Sequence, residues 1–460
     1  MAPVTRSQRS GRDAATGHNH DPAIITSRLR PRTARPTQKS DHSPTTVFAG
    51  SGHPSRHGKA SRGDTSDEPP RFIIDLSLPP EQRYLEVCAA FEIQMLDLTA
   101  LFDEVVGGMV TFLPLSWLRF LCKVFLRRIY NDEENAELVG ISRAVGIDMY
   151  LLVCFNVLLD LMMGCSSGGA RVRDEESTTG GSKMLHFRTL DWNMPALRQI
   201  VVQLDFCLHE TGPVIASSIT YAGFVGVLTG VRPGLSLSLN FRPNRIDNGR
   251  FWSSTLYFLH LVLVLLGLRA SISSTLRSFL VPRAAPTPAS MTSRPAQTSL
   301  SAFEEVIGAM TGMITPILTT TVCYLCFCSG HETVVIEKDH RSATSRTSQE
   351  FIVVTNADST SPAKPMASSS IVDTEESAKV TLNEVIAEAK DRERCAVDNW
   401  QSITAASCGR NSSFTRSAGI KDVVNLVRAY PTTNECTHFA CVLDPTIGTV
   451  RWCRRYHAID

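Results

Sequence analysis

The apolar pattern of this chain changes period near Gly164-Cys165, and that change limits the folds open to it. Upstream, Leu85, Val87, Ala90, Phe91, Ile93, Leu96 and Leu98 recur at helical spacing within residues 81–105. Further helices are expected over 116–130, 132–146 and 148–163. A short β-rich run from Phe72 to Leu76 precedes them, and Pro79-Pro80 marks the first helix start. Downstream the pattern shortens to strands over 184–189, 198–207, 213–220, 223–230 and 234–241. It resumes over 321–328, 332–338, 350–356, 436–443 and 448–453, with helical patches at 251–280 and 301–315. The fold class is therefore α+β, a large antiparallel sheet system with helices packed on it and a mostly helical N-terminal segment.

Residues 1–69 are rich in Ser, Arg, Pro, Gly, Thr and His and poor in large apolar groups, so a disordered tail is expected. Residues 282–299 and 357–377 have the composition of solvated loop insertions. The apolar run 251–268 reaches the lower length of a membrane span only by including two Ser, a Thr and a His, and a buried or interfacial helix is expected there. A net charge of +1 over 460 residues gives no electrostatic reason to expect a nucleic-acid partner. The 13 cysteines are scattered, unlike those of a small disulfide scaffold, and leave the redox compartment undecided. No apolar stretch follows the charged N-terminus, so no cleavable secretory signal is visible and the localisation stays open.

Chemistry concentrates at the change of period. Cys165 lies in Leu161-Met162-Met163-Gly164-Cys165-Ser166-Ser167-Gly168-Gly169, read as the end of an apolar helix followed by a small-residue loop. Phe187-Arg188-Thr189-Leu190-Asp191-Trp192 follows, with Arg and Asp three residues apart. A lone Cys ending an apolar run is ordinarily a small buried hydrophobe, and an Arg-x-x-Asp pair is ordinarily an ion pair. Cys323, Cys326 and Cys328 sit among apolar strand formers with no second pair at zinc spacing, so a structural strand is expected. His186 is a weak candidate for a triad base, and the sequon at Asn411 matters only in a secreted protein.

Four segments together resemble the acid ceramidase and N-acylethanolamine acid amidase family, N-terminal-nucleophile hydrolases related to bile-salt hydrolase and penicillin V acylase. They are Ile73–Pro80, Phe155-Asn156-Val157 with Cys165-Ser166-Ser167, Arg188–Trp192, and Tyr221–Asn240. The last, Tyr-Ala-Gly-Phe-Val-Gly-Val-Leu-Thr-Gly-Val-Arg-Pro-Gly-Leu-Ser-Leu-Ser-Leu-Asn, is the most specific. Thr355-Asn356-Ala357-Asp358 is similar to the family's Thr-Asn-x-Asp strand end. Two departures are Phe187 where the family has Gly and Thr189 where it has Asn; Phe187 would suit a strand beside an acyl pocket. The connection from Cys165 to Arg188 is longer than the family's and carries a polar stretch, Arg171 to Gly181, expected to be exposed.

The resemblance implies an αββα sandwich, with 70–164 like the family's helical subunit and 165–460 like its catalytic subunit. It implies self-cleavage between Gly164 and Cys165, which frees an α-amine whose ordinary pKa of about 7.7–8.0 suits a general base. Asp191 would orient that amine, Arg188 would steady the thiolate or polarise the carbonyl, and Asn356 would donate to the oxyanion. A second Arg, either Arg392 or Arg394, is expected. No cofactor or metal is implied. The substrate would be a lipid amide, N-acyl sphingosine or alternatively N-acylethanolamine, met at a membrane surface by the 251–268 segment. The processed subunits would stay associated, and the family's compartment is lysosomal or extracellular. A catalytically silent relative that binds lipid or protein through the same cleft is the competing reading.

Overall fold

The computed structural model describes residues 67–97, 114–158, 164–174, 181–192, 194–242, 259–282, 301–312, 322–339, 342–358, 375–405 and 416–457. Most of the expected tail, most of both expected insertions, the sequon and residues 251–258 lie outside them.

Two sheets make the frame. The first has eight strands in the order β1-β4-β5-β6-β7-β8-β9-β10. Its strands are β1 (Arg71–Asp75), β4 (Val201–Cys207), β5 (Val214–Tyr221), β6 (Thr229–Arg232), β7 (Leu235–Phe241), β8 (Cys323–Cys328), β9 (Thr333–Lys338) and β10 (Ala343–Ser348). The second has the order β11-β2-β3-β12-β13, from β11 (Phe351–Val354), β2 (Gly164–Arg173), β3 (Ser182–Asp191), β12 (Thr437–Asp444) and β13 (Thr449–Arg455). Every pairing is antiparallel except β1 with β4. That exception follows from connectivity, because the whole helical segment intervenes between β1 and β4 and makes the long crossover a parallel pair needs.

Helices close both outer faces. Ahead of β2 come α1 (Leu85–Leu96), α2 (Leu115–Phe125), α3 (Asp132–Val145) and α4 (Met149–Leu158). Helices α5 (Ile272–Leu280) and α6 (Phe303–Thr311) pack on the first sheet, whereas α7 (Glu375–Ala405) and α8 (Ile420–Arg428) pack on the second. The arrangement is αββα, with β2 and β3 lying face to face with β7 and β8. Helix α3 shows local coding: Asn131 caps it by accepting from Glu133 N and Glu134 N, and Gly146 ends it at φ 78°.

Several expected elements shift. Residues 164–173 are a strand, not a loop. Their glycines allow close approach: a β-carbon on Gly168 would run into the Ile352 carbonyl and the Phe187 ring, and one on Gly169 into Thr333. The expected strand at 223–230 is mostly a turn leading into β6, and 195–200 is a 3-10 turn ahead of β4. Strand β10 and helices α7 and α8 carry no expectation from the sequence. Phe187 does not line an inner pocket. It stacks on Phe351 at 5.9 Å, and Phe351 stacks on Trp400 of α7 at 4.9 Å, because strand alternation turns Phe187 to the helix side and Arg188 to the other sheet.

A buried ion network joins the segment before Gly164 to the segment after it. Glu137 of α3 is fully buried and meets Arg83 at 3.0 Å and Arg277 of α5 through both carboxylate oxygens. Ser274 donates to Glu134 at 2.9 Å beside it. Glu137→Ala would leave the buried Arg277 without its ion-pair carboxylate, while Arg83 keeps Glu133, and an equilibrium stability loss of about 3–5 kcal/mol is expected in chemical denaturation.

Candidate active site

Cys165 is the second residue of β2 and is fully buried. The pleat gives it two environments. Its side chain points between the sheets with Ser167, while its backbone N–H and the side chain of Ser166 face α7.

On the inner side, Arg188 Nη2 donates to Cys165 Sγ at 3.2 Å and Nη1 donates to the Leu228 carbonyl at 2.6 Å. Arg188 is fully buried, and among the described residues no carboxylate lies within ion-pair distance of it. The Leu239 carbonyl lies 3.9 Å from Sγ. Burial pushes the Cys165 thiol up, Arg188 and Arg392 oppose that, and Asp191 adds to it. Burial thus disfavours the thiolate, and the Arg188 guanidinium is the first group to oppose it.

On the α7 side, the Cys165 N–H donates to Asn356 Oδ1 at 2.8 Å. Arg392 Nη2 donates to the same oxygen at 2.8 Å, and Asn356 Nδ2 donates to the Phe241 carbonyl at 2.7 Å. Asn356 therefore presents its acceptor to Cys165 here, with its amide donor engaged on Phe241. Arg392 Nη1 pairs with Asp191 Oδ2 at 2.5 Å. Thr437 donates to Asp191 Oδ1 at 2.7 Å, and Thr189 donates to Oδ2 at 3.3 Å. Burial raises the Asp191 carboxyl, with Arg392 opposing first. Gly164 pairs with Asp191 across β2 and β3, and a β-carbon at 164 would come within 3.2 Å of the Asp191 carbonyl oxygen.

The fold thus gathers Cys165, Arg188, Asp191, Asn356 and Arg392 around one peptide. Arg394 is not among them: it is exposed and pairs with Asp391 at 3.3 Å. Thr437 joins the site without a prior signal, while Ser166 and Asn240, which lie in the resembling segments but were assigned no role, join it through strand pairing. Asn240 accepts from Ser167 at 2.7 Å and donates to the Val354 carbonyl at 3.2 Å. Thr189, a departure from the resembled motif, accepts from Ser166 N at 3.2 Å as well as serving Asp191.

At the rim, His438 Nε2 donates to the Trp192 carbonyl at 2.9 Å, so Nδ1 is the acceptor for the Tyr221 hydroxyl at 2.8 Å. His186 is no triad base; its two ring nitrogens bond to Ser236 and Ser238 between the sheets. Among the described residues no group of three His, Cys, Asp or Glu side chains is placed to hold a metal ion.

Burial holds His186 and His438 each down to about 3. A histidine depressed in the fold takes up its proton first in the unfolded chain. The stability it contributes is present above about 6.5 and is lost as pH falls toward about 3. His186→Gln should flatten the acid slope of stability by about 1.4 kcal/mol per pH unit between about 6 and about 4, read from urea midpoints across that range.

A family model described as the beta subunit of N-acylethanolamine-hydrolyzing acid amidase matches residues 67–130, ahead of Cys165. Acid ceramidase of Mus musculus is 29% identical over 191 residues, 38% of this chain and 45% of that protein. N-acylethanolamine-hydrolyzing acid amidase of Caenorhabditis elegans is 29% identical over 195 residues, 40% of this chain and 50% of that protein. The chain thus spans about half the length of the curated relatives it matches. A solved structure of the Caenorhabditis elegans N-acylethanolamine-hydrolyzing acid amidase ortholog aligns with 64% of this chain and all of that one at 20% identity, with a TM-score of 0.41, too loose to bear on the site. By these sequence matches the chain is similar to members of the acid ceramidase and N-acylethanolamine acid amidase family.

Proposed function

We propose that this chain is a lipid amide hydrolase that cleaves N-acyl sphingosine through Cys165 after breaking its own Gly164–Cys165 bond. The observation that carries the reading is a fully buried guanidinium, free of direct carboxylate contact among the described residues and aimed at a thiol. An unpaired buried cation is costly, and a forming thiolate is the anion that would offset it.

In the first step Cys165 Sγ adds to the Gly164 carbonyl carbon and the C–N bond breaks. The acyl group moves to sulfur, and the proton lost by the thiol ends on the new α-amine. Water hydrolyses the thioester and releases the Gly164 carboxylate. The amine then serves as base for its own thiol, with Asp191 and Arg392 fixing its place. Attack on the lipid amide gives a second thioester, sphingosine leaves with the proton returned by the ammonium, and water frees the fatty acid. Asn356 can donate to the oxyanion once its link to Cys165 N–H has been remade.

An apolar surface supports a lipid substrate. Trp117, Phe120 and Phe125 of α2 are exposed, as are Leu259 and Val262 of a short helix over 259–265. The two are neighbours, since Gly267 packs against the Arg128 backbone. No helix among the described residues is long and apolar enough to cross a membrane, so contact would be interfacial.

Purified wild-type protein should split into two chains, the second beginning at Cys165, and release fatty acid from N-acyl sphingosine faster than from N-acylethanolamine. Cys165→Ala should remain one chain and release none. Wild type that stays whole and inert toward both lipids at acidic and neutral pH would overturn the reading; a reversed preference would move it to N-acylethanolamine. Trp117→Asp should weaken sedimentation with anionic vesicles by about tenfold, a loss of about 1.4 kcal/mol.

A further inference from the structure

The 223–228 turn reaches the site through one atom, the Leu228 carbonyl. That oxygen accepts from Arg188 Nη1 at 2.6 Å and from Leu239 N at 3.0 Å, and the carbonyl of Leu239 in turn faces Cys165 Sγ. The placement of Arg188 against the sulfur therefore depends on where this turn sits.

The turn is held by a side chain from the other side of the Gly164–Cys165 bond. Asn156, in α4, is buried; its Nδ2 donates to the Gly223 carbonyl at 2.9 Å and its Oδ1 accepts from Val225 N at 2.8 Å. One planar amide thus mimics a strand partner for both polarities of the turn backbone. Nδ2 also donates to Leu152 O one helical turn back at 2.9 Å, which fixes the amide's rotation. Gly223 sits in the turn at φ +88°, and a β-carbon on Gly226 would come within 2.8 Å of Ser273, so the turn backbone packs closely there. Arg277 holds the opposite side through the Val225 carbonyl at 2.7 Å.

We infer that Asn156 is a positioning residue for the reaction, setting Arg188 against Cys165 through the 223–228 turn from the segment upstream of the cleaved bond. The inference rests on Cys165 being the nucleophile. It assigns the N-terminal segment a part in the chemistry of the second, beyond covering its core.

The side chains that face the thiol electrostatically are Arg188 and Asp191 of β3, Arg392 of α7 and Tyr221 at the end of β5. Of their side chains only that of Arg188 bonds to the 223–228 turn. Arg188 favours the thiolate, so loosening it should move thiol ionisation to higher pH. The test is Asn156→Ala, with Asn156→Gln as a milder variant that keeps both amide functions one methylene further out and carries the test if the first does not fold. Two readouts are taken: turnover of N-acyl sphingosine, and the ultraviolet thiolate titration of Cys165 as a difference from Cys165→Ser. Expected are a fall in kcat of at least about tenfold with KM within about twofold, and an alkaline shift of the titration midpoint. Both effects should vanish when the substitution is made in an Arg188→Gln background, where nothing remains to be positioned. A folded variant with unchanged midpoint and kcat, or a shift of equal size without Arg188, would overturn the inference. Wild-type protein inert toward lipid amides would instead defeat the proposed function, while the midpoint shift would still decide the role of Asn156.

Discussion

The guanidinium of Arg188, sealed between two β-sheets, is the interaction on which the site depends. A charge in that layer must be matched by oriented dipoles or by an anion. The chain supplies a sulfur from β2 and the Leu228 carbonyl from the turn that leads into β6. Moving either sheet by a residue would leave the cation facing apolar side chains, so the register of β2 against β3, and of β6 against β7, is under strong energetic control.

The pleat of β2 then divides the labour around Cys165. Successive positions alternate between the inter-sheet layer, which holds the thiol, and the α7 side, which holds the peptide nitrogen. The inner environment is dry and carries Arg188. The outer one is a paired network in which Asp191 and Arg392 neutralise each other, with Thr189 and Thr437 filling the remaining carboxylate lone pairs. Under the proposed function the nucleophile and the base would belong to one residue, and such a partition would suit them, with the thiol beside a cation and the amine beside an anion. A strand provides it at no extra length, whereas a helix would put both on a similar surface.

Much of this was legible in the sequence. Arg188 and Asp191 stand three apart in the sequence, and because β3 continues past the expected end at 189 to include Asp191, they project to opposite faces. The strands on either side of Tyr221–Asn240 follow from alternation and turn residues. What alternation could not reveal is which face is which: Phe187 belongs to the core under α7, and only the presence of that helix with Trp400 decides it. Helix α7 itself has a weakly apolar, highly charged sequence that gives little periodic signal, yet it delivers Arg392. Strand β2 was hidden for the opposite reason, since Gly168 and Gly169 look like a loop until the atoms that crowd them are known. Local composition reports a residue's intrinsic preference, and at both places tertiary contact outweighs it.

The two sides of Gly164–Cys165 are interleaved, and that bears on how a cleavage there could be tolerated. Strand β1 is an edge strand of the first sheet, hydrogen-bonded along β4. Glu137 reaches across to Arg277, Ser274 reaches back to Glu134, and Asn156 enters the 223–225 turn. One apolar cluster includes Leu138 and Ile141 of α3 together with Leu237 and Leu239 of β7. Breaking one peptide bond removes a covalent constraint but none of these contacts. Separating the pieces would expose the cluster and strand the buried charges of Glu137 and Arg277 in one step. The polar links are also directional, so they hold the N-terminal piece in one orientation where apolar contact alone would allow several. That directionality is what the proposed role of Asn156 requires, since its amide lies nine residues before Cys165 and on the other side of the Gly164–Cys165 bond.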